Sequence, residues 1–350
     1  MSSPPRRNWL DWQRGLAVLC MIEVHALDAW LSPAEPRSSI HTALWMLGGM
    51  AAPGFLYMAG LAQSLTLAAQ ARRGIPPRAR LTTALRRALV VVAAAYGFRL
   101  LEYVLGGAWL VSGGWRDLFR VDVLNVIGVG LVLSALLAAL PARVRAAAFV
   151  AAAALVALAT PPIAAWSGGP SWLAPWSFAR APGASFALFP WLAFLFGGCA
   201  AGELLSASDR PVATIALGAA LYAAGLAGDL LPTVYTHQDF WHASPAWTAM
   251  RLGIAVAASG ALQLLPPAAP LRLLRALGRH SLLAYVASVE LTYGFTARPL
   301  RRALGTGGVL LGAAALALLA WWAAELLDRR TARRRLPPPE APVTPTAAAA

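Results

Sequence analysis

The sequence predicts an all-α protein, a polytopic integral membrane bundle of about ten spanning helices. Three observations predict it. The 350 residues are 59% hydrophobic and only 13% charged, where soluble domains carry about 25% charged residues. Mean hydropathy is +0.60. Apolar runs long enough to cross a bilayer follow one another at roughly 9–31, 42–68, 86–106, 121–140, 145–165, 186–206, 212–231, 247–266, 280–297 and 307–327. Residues 1–328 therefore read as one membrane domain. Residues 329–350 read as a basic tail whose Pro- and Ala-rich end, LPPPEAPVTPTAAAA, has little to bury and is expected to be disordered.

The net charge of +14 comes entirely from arginine, because the chain has no lysine. These arginines sit in loops between apolar runs, which the positive-inside rule explains without a nucleic-acid partner. With the N-terminus inside, the inner loops and tail hold 19 arginines and the outer loops seven. Both termini are thus expected in the cytoplasm. The last outer segment, RPLRRALGTG, runs against the rule locally. Cys20 and Cys199 lie inside apolar runs and form no spacing motif, so they indicate neither a disulfide framework nor a metal site. The opening MSSPPRRNWLDWQRG lacks a small-residue cleavage site after a short apolar core and reads as a retained first helix.

That first span, WLDWQRGLAVLCMIEVHALDAWL, carries Asp11, Arg14, Glu23, His25 and Asp28. A charge near the bilayer centre costs roughly 2.5–3.5 kcal/mol even on lenient insertion scales, so such groups face protein or a wet cavity. At about 100° per residue with Arg14 at zero, His25 falls at about 20°, Asp11 at about 60° and Asp28 at about −40°. Glu23 points the opposite way. Four ionisable groups therefore form one polar seam. Arg14 and His25 are separated by ten residues, about 16 Å of helical rise, so they share a face without touching. The guanidinium suits phosphate through its fork of donors. The imidazole suits proton abstraction or transient acyl carriage. Asp28, one turn on, is the expected orienting partner of His25.

Other candidates are scattered. His41 opens the second span and is expected near Asp28 and His25, unless it is a surface histidine. Arg99 and Glu102 read as an i,i+3 ion pair. Asp122 and Asn125, in RVDVLNVIG, repeat that spacing and either cap the fourth helix or join Arg14 in holding a donor. Arg251 and Glu290 lie within apolar runs and can pair only if the fold brings them together. His237 and His242 lack a third ligand at metal-binding spacing. The loops at 166–186 and 232–247 are rich in Trp and Tyr and read as an interfacial belt or a lid. No internal repeat or pair of broken helices is visible.

The stretch LDWQRGLAVLCMIEVHALDAWL resembles the opening of the heparan-α-glucosaminide N-acetyltransferase-like family and its bacterial relatives, within the broader transmembrane acyltransferases. MAAPGFLYMAGLAQSL, LFRVDVLNVIGVGLVL, FPWLAFLFGGCAAG and LGRHSLLAYV resemble later family segments in the expected order. The resemblance implies that the Arg, ten residues, His spacing of the glycan O-acyltransferases maps onto Arg14 and His25. It also implies an acyl-CoA donor, acetyl-CoA or another, with no metal. Two departures stand out. Many relatives carry a histidine shortly after the tyrosine of the penultimate helix, where this chain reads VASVEL with Ser288. His41 is the nearest counterpart of the active histidine proposed for the animal lysosomal enzymes, but its distance to Pro53 differs from theirs.

The expectation is a multi-pass acyltransferase of the bacterial inner membrane, moving a short acyl group to a hydroxyl or amine of an envelope sugar or small acceptor. Its catalytic candidates are His25, Asp28 and His41. Its donor-binding candidates are Arg14, Asp122 and Asn125. The alternative is a transporter or carrier partner that uses the polar seam as a translocation path.

Overall fold

The computed structural model describes residues 7–36, 38–166, 172–178, 185–235 and 239–334. Among them the chain is helical, with no strand beyond two isolated bridges, Leu31 to Leu304 and Phe178 to Phe189. The helices are α1 Asn8–Trp30, α2 Ser39–Gly48, α3 Ala51–Arg72, α4 Pro77–Leu105, α5 Val123–Leu137, α6 Ala142–Ala165 and α7 Ala174–Ser177. They continue with α8 Trp191–Leu204, α9 Pro211–Asp229, α10 Phe240–Ala243, α11 Pro245–Gln263, α12 Arg272–Arg279, α13 Ser281–Tyr293 and α14 Thr306–Arg334. Each of the ten apolar runs coincides with one or two of these helices.

Five stretches are long and apolar enough to cross a membrane: Ser39–Arg72, Pro77–Leu105, Ala142–Ala165, Pro211–Asp229 and Thr306–Thr331. Val123–Leu137 and Trp191–Leu204 are shorter apolar helices. The protein is an all-α membrane bundle. Two expected spans are interrupted. The second breaks at Gly49 and Met50, where the Arg251 guanidinium donates to the Met46 carbonyl at 2.6 Å. The ninth, expected over 280–297, breaks at Gly294, where α13 ends and a 3₁₀ helix, Phe295–Leu300, begins. α14 continues helically to Arg334, past the tail boundary expected at 328; residues 335–350 lie outside the described ones.

Lipid gives apolar side chains little reason to leave it, so helix association rests on close backbone approach and polar ties. Gly60 and Gly198 supply the approach between α3 and α8: a β-carbon on either would overlap the Leu195 or Tyr57 carbonyl. Gly218 and Gly253 do the same between α9 and α11, and Gly15 and Gly278 between α1 and α12. One buried polar chain ties three helices. Ser259 of α11 donates to the Gln13 side-chain Oε1 of α1 at 2.7 Å and lies 3.0 Å from the Tyr57 hydroxyl of α3. The Gln13 side-chain amide donates on to the Ala255 carbonyl at 2.8 Å, so Gln13, Ser259 and Tyr57 are all hydrogen-bonded.

The two ends of the bundle are fastened differently. At the end where α1 starts, Arg7 bonds the Leu205 carbonyl at 3.0 Å and Asp209 at 3.3 Å, while Arg72 reaches Ser206. At the far end, the loop after α1 joins the segment before α14 through Ser32 to Leu304 at 2.8 Å and Arg302 to Ala29 at 2.9 Å.

Gly198→Val should lower the melting temperature in detergent, because the added carbons force α3 and α8 apart at a cost of about 1–3 kcal/mol. Gly97→Ala, in open space on α4, should be neutral or stabilise by up to about 1 kcal/mol. Equal melting temperatures for the two variants would contradict the packing account.

Candidate active site

The polar seam of α1 meets different neighbours along its length. At its far half it meets α13. The His25 Nδ1 lies 3.3 Å from the Ser288 hydroxyl. Tyr293, one and a half turns further along α13, sets its ring edge-on to the imidazole with centroids 5.5 Å apart. The Tyr293 hydroxyl donates to the Asp28 carboxylate at 2.8 Å. Asp28 was expected to hold the imidazole directly. Its hydrogen bond instead goes to the tyrosine that flanks the imidazole, and both acidic and basic members of the seam converge on Tyr293.

Tyr293 is also a wall of a polar cavity of about 810 Å³ between the far ends of α4 and α13. Arg99, Glu102, Arg120, Glu290 and Arg301 line it too. Arg99 forms the expected ion pair with Glu102 and a second one with Asp122 at 3.0 Å. Asp122 has a double task. One carboxylate oxygen receives the amides of Leu124 and Asn125 at 3.0 and 3.4 Å, while Asn125 accepts the Asp122 amide at 3.0 Å. This is a reciprocal cap on α5. Asp122 and Asn125 thus spend their side chains on starting the helix and fixing Arg99 at the cavity wall. Glu290 stands in that cavity with one carboxyl oxygen enclosed and without a hydrogen-bond partner. The imagined pair of Glu290 with Arg251 does not form, because Arg251 bonds the Met46 carbonyl and lies over the Trp247 ring.

Arg14 lies at the other end of the seam. It lines a cavity of about 610 Å³ together with Arg7, Asp11, Arg72, Arg73 and Arg87. A narrower cavity of about 300 Å³ shares Arg14 and Arg87 and continues along α3 past Gln63 and Ala59. Five arginines against one aspartate make this a strongly positive concavity, a setting that attracts phosphates.

His41 is placed apart from His25. The Ser38 amide donates to its Nδ1 at 3.1 Å, so Nε2 carries the proton and donates to the Thr306 hydroxyl at 2.6 Å. Thr306 in turn donates its hydroxyl to Glu35 at 2.7 Å and its amide at 3.0 Å. Both ring nitrogens are committed to clamping the loop after α1 onto the start of α14. Glu23, on the opposite face of α1, packs against Gly48 with both carboxyl oxygens enclosed and without a hydrogen bond. His242 pairs with Asp239 at 2.9 Å, and His237 lies outside the described residues. In the first aromatic loop Trp166 and Trp172 are exposed, while Trp176 packs against the main core.

Sequence reasoning missed Tyr293 altogether and met Ser288 only as a departure from relatives. The usable signal was that departure, because Ser288 of the VASVEL segment is the residue that touches His25.

These features define an all-α membrane protein with a half-buried imidazole packed against Tyr293, a wall of one polar cavity, and an arginine-lined cavity at the opposite end of the same helix. The catalytic model described as "Heparan-alpha-glucosaminide N-acetyltransferase, catalytic" matches residues 6–228. The chain belongs to that family of membrane acetyltransferases. No curated protein matches it. The matched stretch contains Arg14, His25, Asp28, His41, Asp122 and Asn125, whereas α11 to α14, with Ser288 and Tyr293, lie beyond it.

The Thr306 amide and then its hydroxyl hold the Glu35 carboxyl below the ordinary glutamate range. A carboxyl depressed by folding stabilises above its unfolded pKa and loses that contribution as pH falls through the folded value. Glu35→Gln should therefore lower the melting temperature at neutral pH and flatten its decline under acid. An unchanged pH profile of melting would contradict the clamp.

Proposed function

We propose that this protein transfers an acetyl or other short acyl group from acyl-CoA to a hydroxyl or amine of an envelope glycan or small acceptor. The single observation that carries this reading is the placement of His25, held by α13 beside the wall of the 810 Å³ cavity. His25 takes the proton of the acceptor as its oxygen or nitrogen attacks the thioester carbonyl. The carbon–sulfur bond then breaks, and the imidazolium returns that proton to the departing thiolate. Positioned general bases contribute about 10²–10⁴-fold in rate. Asp28 acts through Tyr293, whose hydroxyl it fixes at the cavity wall. His41 serves as a clamp and takes no proton from substrate.

The donor's phosphates suit the opposite cavity, where Arg14, Arg72, Arg73 and Arg87 supply forked donors. Asp122 and Asn125 support the acceptor side through Arg99. In this reading the protein sits in a bacterial inner membrane; the arginine count of 19 against seven favours the Arg14 end on the cytoplasmic side, where acyl-CoA is made, and the Tyr293 cavity outside. Carboxylates, arginines and tyrosines lining that outer cavity suit a hydroxyl-rich acceptor.

Purified protein incubated with radiolabelled acetyl-CoA and an envelope extract should label an acceptor. His25→Ala should abolish labelling while the protein remains folded, a loss of about 10²–10⁴-fold. Arg14→Ala should raise the KM for acetyl-CoA about tenfold or more, the equivalent of one charge-assisted hydrogen bond at roughly 1.5–3 kcal/mol. Wild-type labelling by the His25→Ala variant would overturn the reading, as would no labelling by the wild type, which is what a transporter would give.

A further inference from the structure

The residue against His25 comes from α13, outside the stretch that the family match covers. Ser288 is 3% exposed and belongs to the interior of the α1–α13 contact. Its hydroxyl has two possible acceptors, the Tyr285 carbonyl at 2.9 Å and the His25 Nδ1 at 3.3 Å. The hydroxyl has a single proton to give. At 2.9 Å the carbonyl lies within the ordinary range of O–H···O bonds, whereas 3.3 Å is long. The proton therefore goes to Tyr285, and Ser288 presents a lone pair to the imidazole.

Two lone pairs facing each other repel, so Nδ1 must carry the ring proton. The bond on one ring nitrogen dictates the state of the other. Nothing else on α13 competes for this role: the Thr292 hydroxyl donates back to the Ser288 carbonyl at 2.6 Å, and Tyr293 meets the imidazole with its ring edge while its own proton is spent on Asp28.

We infer that Ser288 is a positioning residue that fixes neutral His25 as the Nδ1–H tautomer and leaves Nε2 as its basic nitrogen. This rests on the reading of His25 as the base only for its catalytic consequence. The tautomer itself is a property of the resting protein.

The test uses the full-length protein in detergent or nanodiscs with ¹⁵N-labelled histidine. The chain has five histidines, and the spectrum of His25→Gln identifies the His25 signals by their loss. The wild type at neutral pH should show His25 with a protonated Nδ1 and an unprotonated Nε2. Ser288→Ala should mix the two tautomers or reverse them. Ser288→Thr, which keeps the hydroxyl, should restore the wild-type pattern. In the labelling assay Ser288→Ala should lower kcat about tenfold with little change in the KM for acetyl-CoA, a fraction of the full contribution of a general base.

A wild-type spectrum with the proton on Nε2 would overturn the inference without any variant being needed. So would a Ser288→Ala spectrum identical to wild type. If the tautomer depends on Ser288 but His25→Ala still transfers acyl groups, the tautomer assignment stands and the base assignment falls.

Discussion

The structure depends on one constraint: no ionisable group of α1 can be left facing hydrocarbon. Each charge left in lipid would cost a few kcal/mol, comparable with a large part of a protein's net stability. The rest of the bundle is arranged to cover this helix. α13 meets His25 with Ser288 and Tyr293, and the Tyr293 hydroxyl donates to the exposed Asp28 carboxylate. α11 covers Gln13 with Ser259 and the Ala255 carbonyl. α12 presses its backbone against α1 at Gly15 and Gly278, and Arg14 opens into an arginine-lined cavity instead of lipid.

Covering one polar helix from several sides leaves concavities at both ends of the bundle, and these are where substrates fit. The far cavity is held open by charges that are themselves fixed. Arg99 is pinned between Glu102 and Asp122, and Asp122 is pinned by starting α5. Such a network is rigid because the loss of any member leaves a buried charge unmet. The clamp of His41, Thr306 and Glu35 closes the same end of the molecule on its other side. Site and scaffold are therefore built from the same side chains.

The ten apolar runs and the seam of α1 were legible because hydropathy and a 3.6-residue period are local properties. The Arg99–Glu102 pair was legible for the same reason, being three residues apart. What lay hidden depends on contacts across long stretches of chain. Ser288 and Tyr293 stand more than 260 residues from His25 and Asp28, and no local pattern marks which apolar helix supplies the partner. The break after Gly48 was also obscured, since Gly49 and Met50 sit in a run as apolar as its flanks, and Arg251 reaches Met46 from α11. His41 shows how a chemically capable residue is diverted: a serine three residues earlier turns it into part of a helix cap. Asp122 and Asn125 are three residues apart, a spacing that suits a helix cap, and their side chains make the reciprocal bonds of one.

Cysteine accessibility across the seam tests the central claim most directly. In a background with Cys20 and Cys199 replaced, Asp28→Cys should react in sealed vesicles with a charged, membrane-impermeant maleimide from one side only. Protection of that cysteine from the charged reagent, together with ready labelling by a lipid-soluble one, would mean that the seam looks into hydrocarbon and would contradict the account.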